Sequence, residues 1–476
     1  MAYEVCSRCS RLATRLLLLA VLVFLFASGA SAEWKEKVLY SFQGGTDGST
    51  PAGSVIFDKA GNLYGLTIYG GSTACPPGWC GTFYQVSPPQ QKGGAWTESV
   101  LYVFKGHNQN DGSSPSGSLI ADSAGNFYGV TGYGGSGPCV LFGTATGCGT
   151  VFELTPPKTK GGAWKEEVLY NFQGGNDGDL PTGPLVFDSA GNLYGATEFG
   201  GGKGTTCDIF YGGNCGTVFE LSPPNTKGGK WTEKVLHRFA GINDGQQTGD
   251  GANPNGGLTL DGKGAIYGTT GFGGNGRGVC QGAGGFDGCG TVFVLNPPTR
   301  KGAGWDEGVL RRFQGRPGDG SGPCGGLVFG TLGQLYGATR GGGSHEDGLV
   351  FELRPPSTKG GIWTESFLHA FTGGSDGSGT LAGLRLGSSG NLYGTSTGGL
   401  TVGGLVFLMK PPTVNEESVD KKSWPFDVLS TFKGSPDGYD PLELTFGTGS
   451  VIFGATLYGG TGQCQGGCGT VFESGP

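Results

Sequence analysis

The sequence predicts an all-β protein, a seven-bladed β-propeller of four-stranded blades whose ring is closed by the N-terminal strand joining the C-terminal blade. Three observations carry this expectation. The first is composition: 103 Gly and 26 Pro in 476 residues punctuate the backbone, while 29 Phe, 16 Tyr and 8 Trp supply enough apolar surface for a core. Only 14% of residues are charged, and Met numbers two, which excludes coiled coils and long surface helices. The second is a sevenfold internal repeat, and the third is a strand count that leaves one unpaired segment at each end of the chain.

Residues 1–32 read as a secretory signal peptide. Arg8, Arg11 and Arg15 precede the apolar run Leu16–Phe26, and Ala30-Ser31-Ala32 follows as a small-residue cleavage site. Eleven apolar residues fall short of the roughly 20 that span a bilayer, and no later stretch is a candidate span. Removing three Arg and one Glu takes the net charge from −7 to −9. Residues 33–476 therefore read as a mildly acidic exported monomer, secreted or periplasmic, with no electrostatic case for nucleic acid.

The repeat is led by Trp: WKEKVLYSF (34–42), WTESVLYVF (96–104), WKEEVLYNF (164–172), WTEKVLHRF (231–239), WDEGVLRRF (305–313), WTESFLHAF (363–371) and WPFDVLSTF (424–432). Trp precedes Phe by eight residues in all seven, and six intervals from Trp34 to Trp424 average 65 residues. After each comes Asp-Gly, at Asp47, Asp111, Asp177, Asp244, Asp319, Asp376 and Asp437. Two short strands follow around an Asx/Gly turn, as in PLVFDSAGNLYGAT (184–197), and then a strand such as GTVFELTPP (149–157). Apolar groups on both faces of these strands require a sheet covered on both sides, as blades cover one another. Lys and Glu in the Trp strands (Lys35, Glu36, Lys37; Lys165, Glu166, Glu167) mark them as outermost edges, with the LVFD strand innermost. The chain then opens on an outermost strand (34–42) and ends on a third strand (468–473), and pairing the two closes the ring.

The pattern GNLYGxTxxGG…CGTVFELxPP…GGxWxExVLYxF resembles the tandem repeat of the bacterial GloVer proteins, and the hairpin VFDSAGNLYG is similar to that of NHL-type propeller repeats. The first resemblance spans all seven units and implies a propeller-like fold and export; it implies no reaction and no cofactor.

Eleven Cys remain after Cys6 and Cys9 leave with the signal segment. They pair within the second-to-third-strand loops as Cys75–Cys80, Cys139–Cys148, Cys207–Cys215, Cys280–Cys289 and Cys464–Cys468, with Cys324 left free. Metal-ligand spacing of the CxxC…CxxC kind is lacking, so no metal is expected. The distance from the hairpin aromatic to the third-strand Phe varies: 19, 24, 25, 26, 15, 14 and 19 across units 1–7. Diversity is thus confined to one face, where loops on a rigid scaffold commonly bind.

Candidate binding residues on that face are the seven Asp, imagined as a ring around the axial mouth that attracts a cation or a basic partner. The competing account is a set of Asx turns. His107 and His345 are further candidates, His345-Glu346-Asp347 being the densest polar cluster; His237 and His369 replace Tyr in the Trp strand and read as packing residues. No G-x-S-x-G, HExxH or phosphate loop occurs, and no catalytic residue is assigned. The expected function is an exported binding module recognising a glycan or protein through its loop-rich, disulfide-pinned face. The alternatives are a propeller hydrolase or lyase acting on an extracellular polymer, and a structural envelope repeat protein without a small ligand.

Overall fold

The computed structural model describes residues 34–75, 80–202, 207, 215–226, 228–242, 249–274, 280, 288–315, 318–358, 360–400, 402–412 and 424–476. Residues 1–33, where the signal peptide is expected, and Asp244 lie outside them. Each antiparallel sheet joins three strands of one Trp-led unit, innermost first, to the Trp strand of the next unit, or of the first unit in the last sheet. Blade 2 is typical: Gly112–Ala121, Phe127–Gly134, Thr150–Thr155 and Lys165–Asn171, counted outward from the axis.

Closure is as expected. Strand Lys35–Ser41 is antiparallel to Thr470–Gly475, with Lys35 opposite Gly475 and Ser41 opposite Thr470, and so supplies the outermost strand of blade 7. The last sheet thereby joins the two ends of the chain, and the third strand of blade 7 is not left as an open edge.

Three devices recur inside the blades. The Gly of the NLYG strand faces the Phe ring of the third strand: a Cβ on Gly195 would lie 2.5 Å from the Phe219 ring, and on Gly129 2.6 Å from Phe152. The motif's glycine is thus room for the neighbouring strand's buried aromatic. The Thr that ends the second strand bonds the Thr that begins the third, as in Thr131–Thr150 and Thr67–Thr82, both at 2.8 Å and fully buried. Finally, the pairing of third and outermost strands slips by one residue in every blade, between Val151 and Phe152 in blade 2. This bulge interrupts side-chain alternation along the Trp strands and increases local twist.

The bulge and the alternation before it correct the reading of the Trp-strand charges. Lys35 and Lys37 are exposed, as are Lys165 and Glu167, which suits an edge. Glu36 and Glu166 instead turn inward on the same face as the Trp two residues earlier. Apolar clusters bridge neighbouring blades throughout; one joins Phe172 of blade 2 with Leu185, Phe219 and Leu221 of blade 3.

Candidate functional site

The loop-rich face is built by the second-to-third-strand loops and by the connections between blades. All five expected disulfides form, with Cα–Cα separations from 5.0 to 5.2 Å, and Cys324 is free and buried. Three of the bonds are lodged against the glycine that follows the outermost strand: a Cβ on Gly44, Gly106 or Gly174 would come within 2.9 to 3.0 Å of Cys464, Cys75 or Cys139 Sγ. Those glycines sit at φ 80°, 74° and 69°, where L side chains are strained. The disulfides therefore brace each loop against the passage into the next blade. Cys139, Cys148 and Asp179 form the one cluster of metal-ligating residue types among the described residues, but its sulfurs are joined to each other and offer no thiolate.

The second Cys also fixes the seam through its carbonyl. The N–H of Thr50 bonds Cys468 O at 2.8 Å, Ser114 bonds Cys80 O at 3.1 Å, Leu180 bonds Cys148 O at 3.2 Å, and Asn253 bonds Cys215 O at 2.8 Å. All four donors adopt positive φ between 52° and 58°. In blade 5, Asp347 occupies the position of the second Cys, and its carboxylate accepts a bond from Ser378 Oγ at 2.9 Å. The cluster His345-Glu346-Asp347 is thereby divided. Asp347 is a seam residue, whereas His345 is exposed and bonds only its neighbour Ser344 (2.9 Å) among the hydrogen bonds of the described residues. His107, in another unit, holds Gly135 O through Nδ1 at 2.7 Å.

The Asp residues lie against the outermost strands and not around the axis. Asp47 accepts from Tyr40 Oη and Gln43 N, both at 2.9 Å; Asp111 from Tyr102 Oη at 2.7 Å; Asp177 from Tyr170 Oη at 2.9 Å. Arg311 donates to Asp319 at 2.7 Å, and His369 Nε2 lies 3.1 Å from Asp376. In blade 4 the partner of His237 is Asp250, at 3.1 Å. Asp250 lies 17 residues before Tyr267, the same interval that separates Asp47 from Tyr64 and Asp111 from Tyr128, so spacing singles out Asp250 over Asp244. Asp437 differs, because Ser430 stands where the other units carry Tyr, His or Arg, and Ser430 bonds Ser474 at 2.8 Å. The cause of the displacement from the axis is the side chain six residues after Trp, which reaches across to hold the carboxylate.

Beside each of these Asp except Asp376 lies the inward Glu of the next outermost strand; at Asp376 that strand carries Phe426, stacked on His369 at 4.0 Å. Burial, reinforced by the neighbouring Asp, pushes the carboxyls of Glu36, Glu98 and Glu233 up to about 7 and that of Glu166 up to about 8. One oxygen of each is buried without a hydrogen-bond partner. The sequence signal was W-x-E, which the charge argument had assigned to the solvent.

At the axis, a cavity of about 170 Å³ is lined by all seven blades and by none of the candidate Asp. Its charge is Glu443, held by Ser118 Oγ at 2.9 Å and Arg385 at 3.1 Å. Three tyrosines on the loop-rich face remain open: Tyr69 (37% exposed), Tyr458 (39%) and Tyr439 (38%), on the adjoining blades 1 and 7. Tyr458 is paired with Tyr439 across the sheet, and Tyr69 lies near enough to Tyr458 for their phenols to interact electrostatically. Phe142, 93% exposed, tips the blade 2 hairpin formed by Val140–Leu141 and Thr144–Ala145.

Residues 139–360 match the family model of the Gloeobacter/Verrucomicrobia repeat. No curated protein matches the chain. Solved structures similar to it include a protein of unknown function from Dyadobacter fermentans (13% identity, 93% of this chain and 98% of that one, TM-score 0.41). The PQQ-bound aldose sugar dehydrogenase of Streptomyces coelicolor is another (12% identity, 94% and 99%, TM-score 0.41). A third is a calcium structure of a Trichoderma reesei carbohydrate-active enzyme of family AA12 (11% identity, 94% and 96%, TM-score 0.41).

Proposed function

From a chain that is a Gloeobacter/Verrucomicrobia (GloVer-type) repeat protein closed as a seven-bladed propeller, we propose an exported binding module that recognises a glycan on its loop-rich, disulfide-pinned face. The observation that carries this reading is the trio Tyr69, Tyr439 and Tyr458, each more than a third exposed on neighbouring blades of that face. Tyr offers an apolar ring for the C–H face of a sugar and a hydroxyl for its polar edge, and it loses little conformational entropy on binding. The braced glycine loops around it form a preorganised surface, which lowers the ordering cost of binding. Asp47, Asp111, Asp177, Asp319, Asp376 and His107 on the same face hold their own units together; their part in this reading is to keep the loops in place.

The test is a glycan array followed by calorimetry, comparing the native protein with a Tyr69→Ala/Tyr439→Ala/Tyr458→Ala variant. The expected result is retention of one glycan class, weakened at least tenfold by the triple substitution with an unchanged melting temperature. Undiminished binding by the variant, or capture of a protein with no glycan bound, overturns the reading. The observations give no comparable support to hydrolysis: His237 and His369 are each engaged by an Asp of the seam and pack edge-on against Phe239 and Phe371.

A further inference from the structure

The opposite face, formed by the inner hairpin turns and the starts of the Trp strands, carries a second feature that the repeat itself makes legible. At most junctions, the hairpin aromatic of one blade meets a side chain from the third position of the next blade's LVFD strand. The pairs Tyr128–Phe187, Tyr267–Phe329 and Tyr393–Phe446 stand edge to face, with centroids 5.1, 5.1 and 5.2 Å apart, and Phe453–Phe57 does so at 4.8 Å. In the clusters at two further junctions the same position is Leu260, with Tyr194, and Leu386, with Tyr336.

Between blades 1 and 2 the position is Ala121, and Tyr64 meets no such side chain there. A cavity of about 710 Å³ opens at this junction, within the range of small-molecule sites. Its walls are rings: Phe57, Tyr64, Phe127 and Trp164. Phe127 is itself a departure from the repeat, since the other six units carry Leu or Ile there. It stacks near-parallel on Trp164 (5.7 Å, 26°) and lies 4.9 Å from Tyr64. Two substitutions in one unit thus remove a ring from the junction and enlarge the aromatic wall facing the vacated space.

The polar rim decides the ligand class. Asp58 accepts four hydrogen bonds from its own turn, from Ala60 N, Asn62 N, Asn62 Nδ2 and Tyr64 Oη. Asp122 is used in the same way by Ala124 N, Asn126 N, Asn126 Nδ2 and Tyr128 Oη. Four bonds fill the lone-pair sites of a carboxylate, so neither group is left to read sugar hydroxyls. Lys59 and Ser123 complete the rim, a single cation and a single hydroxyl, and the rest of the cavity offers ring faces and edges in the place where sister units seat a Phe or Leu. We propose that the junction of blades 1 and 2 binds a small planar aromatic molecule, stacked among Tyr64, Phe127 and Trp164 in the space that Ala121 leaves. This site is independent of the glycan reading, from which it differs in face, residues and ligand.

The probe is p-cresol, titrated into the intact protein by calorimetry and saturation-transfer NMR, with methyl β-glucopyranoside as the hydroxylated control. Ala121→Phe and Ala121→Leu restore the side chains of sister units and are expected to weaken p-cresol binding at least tenfold while keeping or raising the melting temperature. Trp164→Ala is expected to weaken it as well. Should Ala121→Phe fail to fold, Ala121→Leu decides, because Leu already fills this position in blades 4 and 6. The proposal is overturned if p-cresol does not bind, if it binds the Ala121→Leu protein equally well, or if the glucoside binds in preference. Loss of glycan binding in the Tyr variants with p-cresol binding intact separates the two sites.

Discussion

Single side chains at the seams set the chemistry of this protein. Six of the seven outermost strands carry an inward Glu two residues after Trp, and each buries an oxygen that no hydrogen bond satisfies. A protonated carboxyl is less costly to bury than a carboxylate, and the adjacent Asp sharpens the preference. Because the folded state raises these carboxyls above the ordinary Glu value of 4.5, it binds more protons than the unfolded chain between about 4.5 and 8. Stability from this source is complete at the acid end and is lost as pH rises through that window. Asp58 and Asp188, lowered by their turn hydrogen bonds, act in the opposite sense near or below the ordinary Asp value of 3.8, and His369, pushed down by burial, does so below 6.5, one group against six Glu. The urea midpoint is therefore expected to fall between pH 5 and 8.5, and Glu166→Gln to flatten the profile; a midpoint that rises over this range contradicts the account. Cys324 makes a second prediction. Its thiol is buried, bonds Thr380 O at 2.7 Å, and is pushed up to about 12 by burial. Mass spectrometry after treatment with a maleimide should find no labelling of the native protein and one label in urea without reductant.

The elements are four-stranded blades, and what joins them is backbone as much as side chain. A residue of positive φ near the start of each inner strand donates its N–H to the carbonyl of the preceding blade's Cys, or of its counterpart. Left-handed backbone costs a non-Gly residue about 1–2 kcal/mol, and the recurrence of Thr50, Ser114, Leu180 and Asn253 in that region shows the seam outweighing it. The disulfide holds the accepting end. Replacing Cys139 and Cys148 by Ser removes a nine-residue closure, worth about 2.5 kcal/mol in the chain-entropy account. The variant is expected to fold, with a lower melting temperature and faster amide exchange at Leu180, whose N–H bonds Cys148 O. Unchanged exchange at Leu180 would detach the disulfide from the seam.

For the whole molecule, closure is decisive. Lys35–Ser41 covers the edge that Thr470–Gly475 would otherwise present, and the exposed Lys37–Glu473 ion pair adds little to that backbone ladder. Deleting residues 34–42 is expected to lower the melting temperature and to produce edge-paired dimers or larger species in size-exclusion chromatography; a monomer of native stability would contradict the closure argument. Among the described residues no helix is long and apolar enough to cross a membrane, and the five disulfides fit an oxidising compartment.

Repetition determined most of this from sequence alone. A fixed Trp-to-Phe offset, turn glycines and one unpaired strand at each terminus are local signals, and they were enough for blade number, strand order, closure and disulfide partners. Distance across seams was decided only in three dimensions. The Asp residues moved from the imagined axial ring to the outermost strands because a Tyr, His or Arg of the preceding strand holds them. The Glu of W-x-E turned inward because strand alternation places it on the Trp face, where the next connection packs. The aromatic cavity beside Ala121 could not be found by reading one unit, since its walls come from two blades. A missing side chain becomes a cavity only where a neighbouring surface is left without a partner, and which surfaces are neighbours is a property of the closed ring.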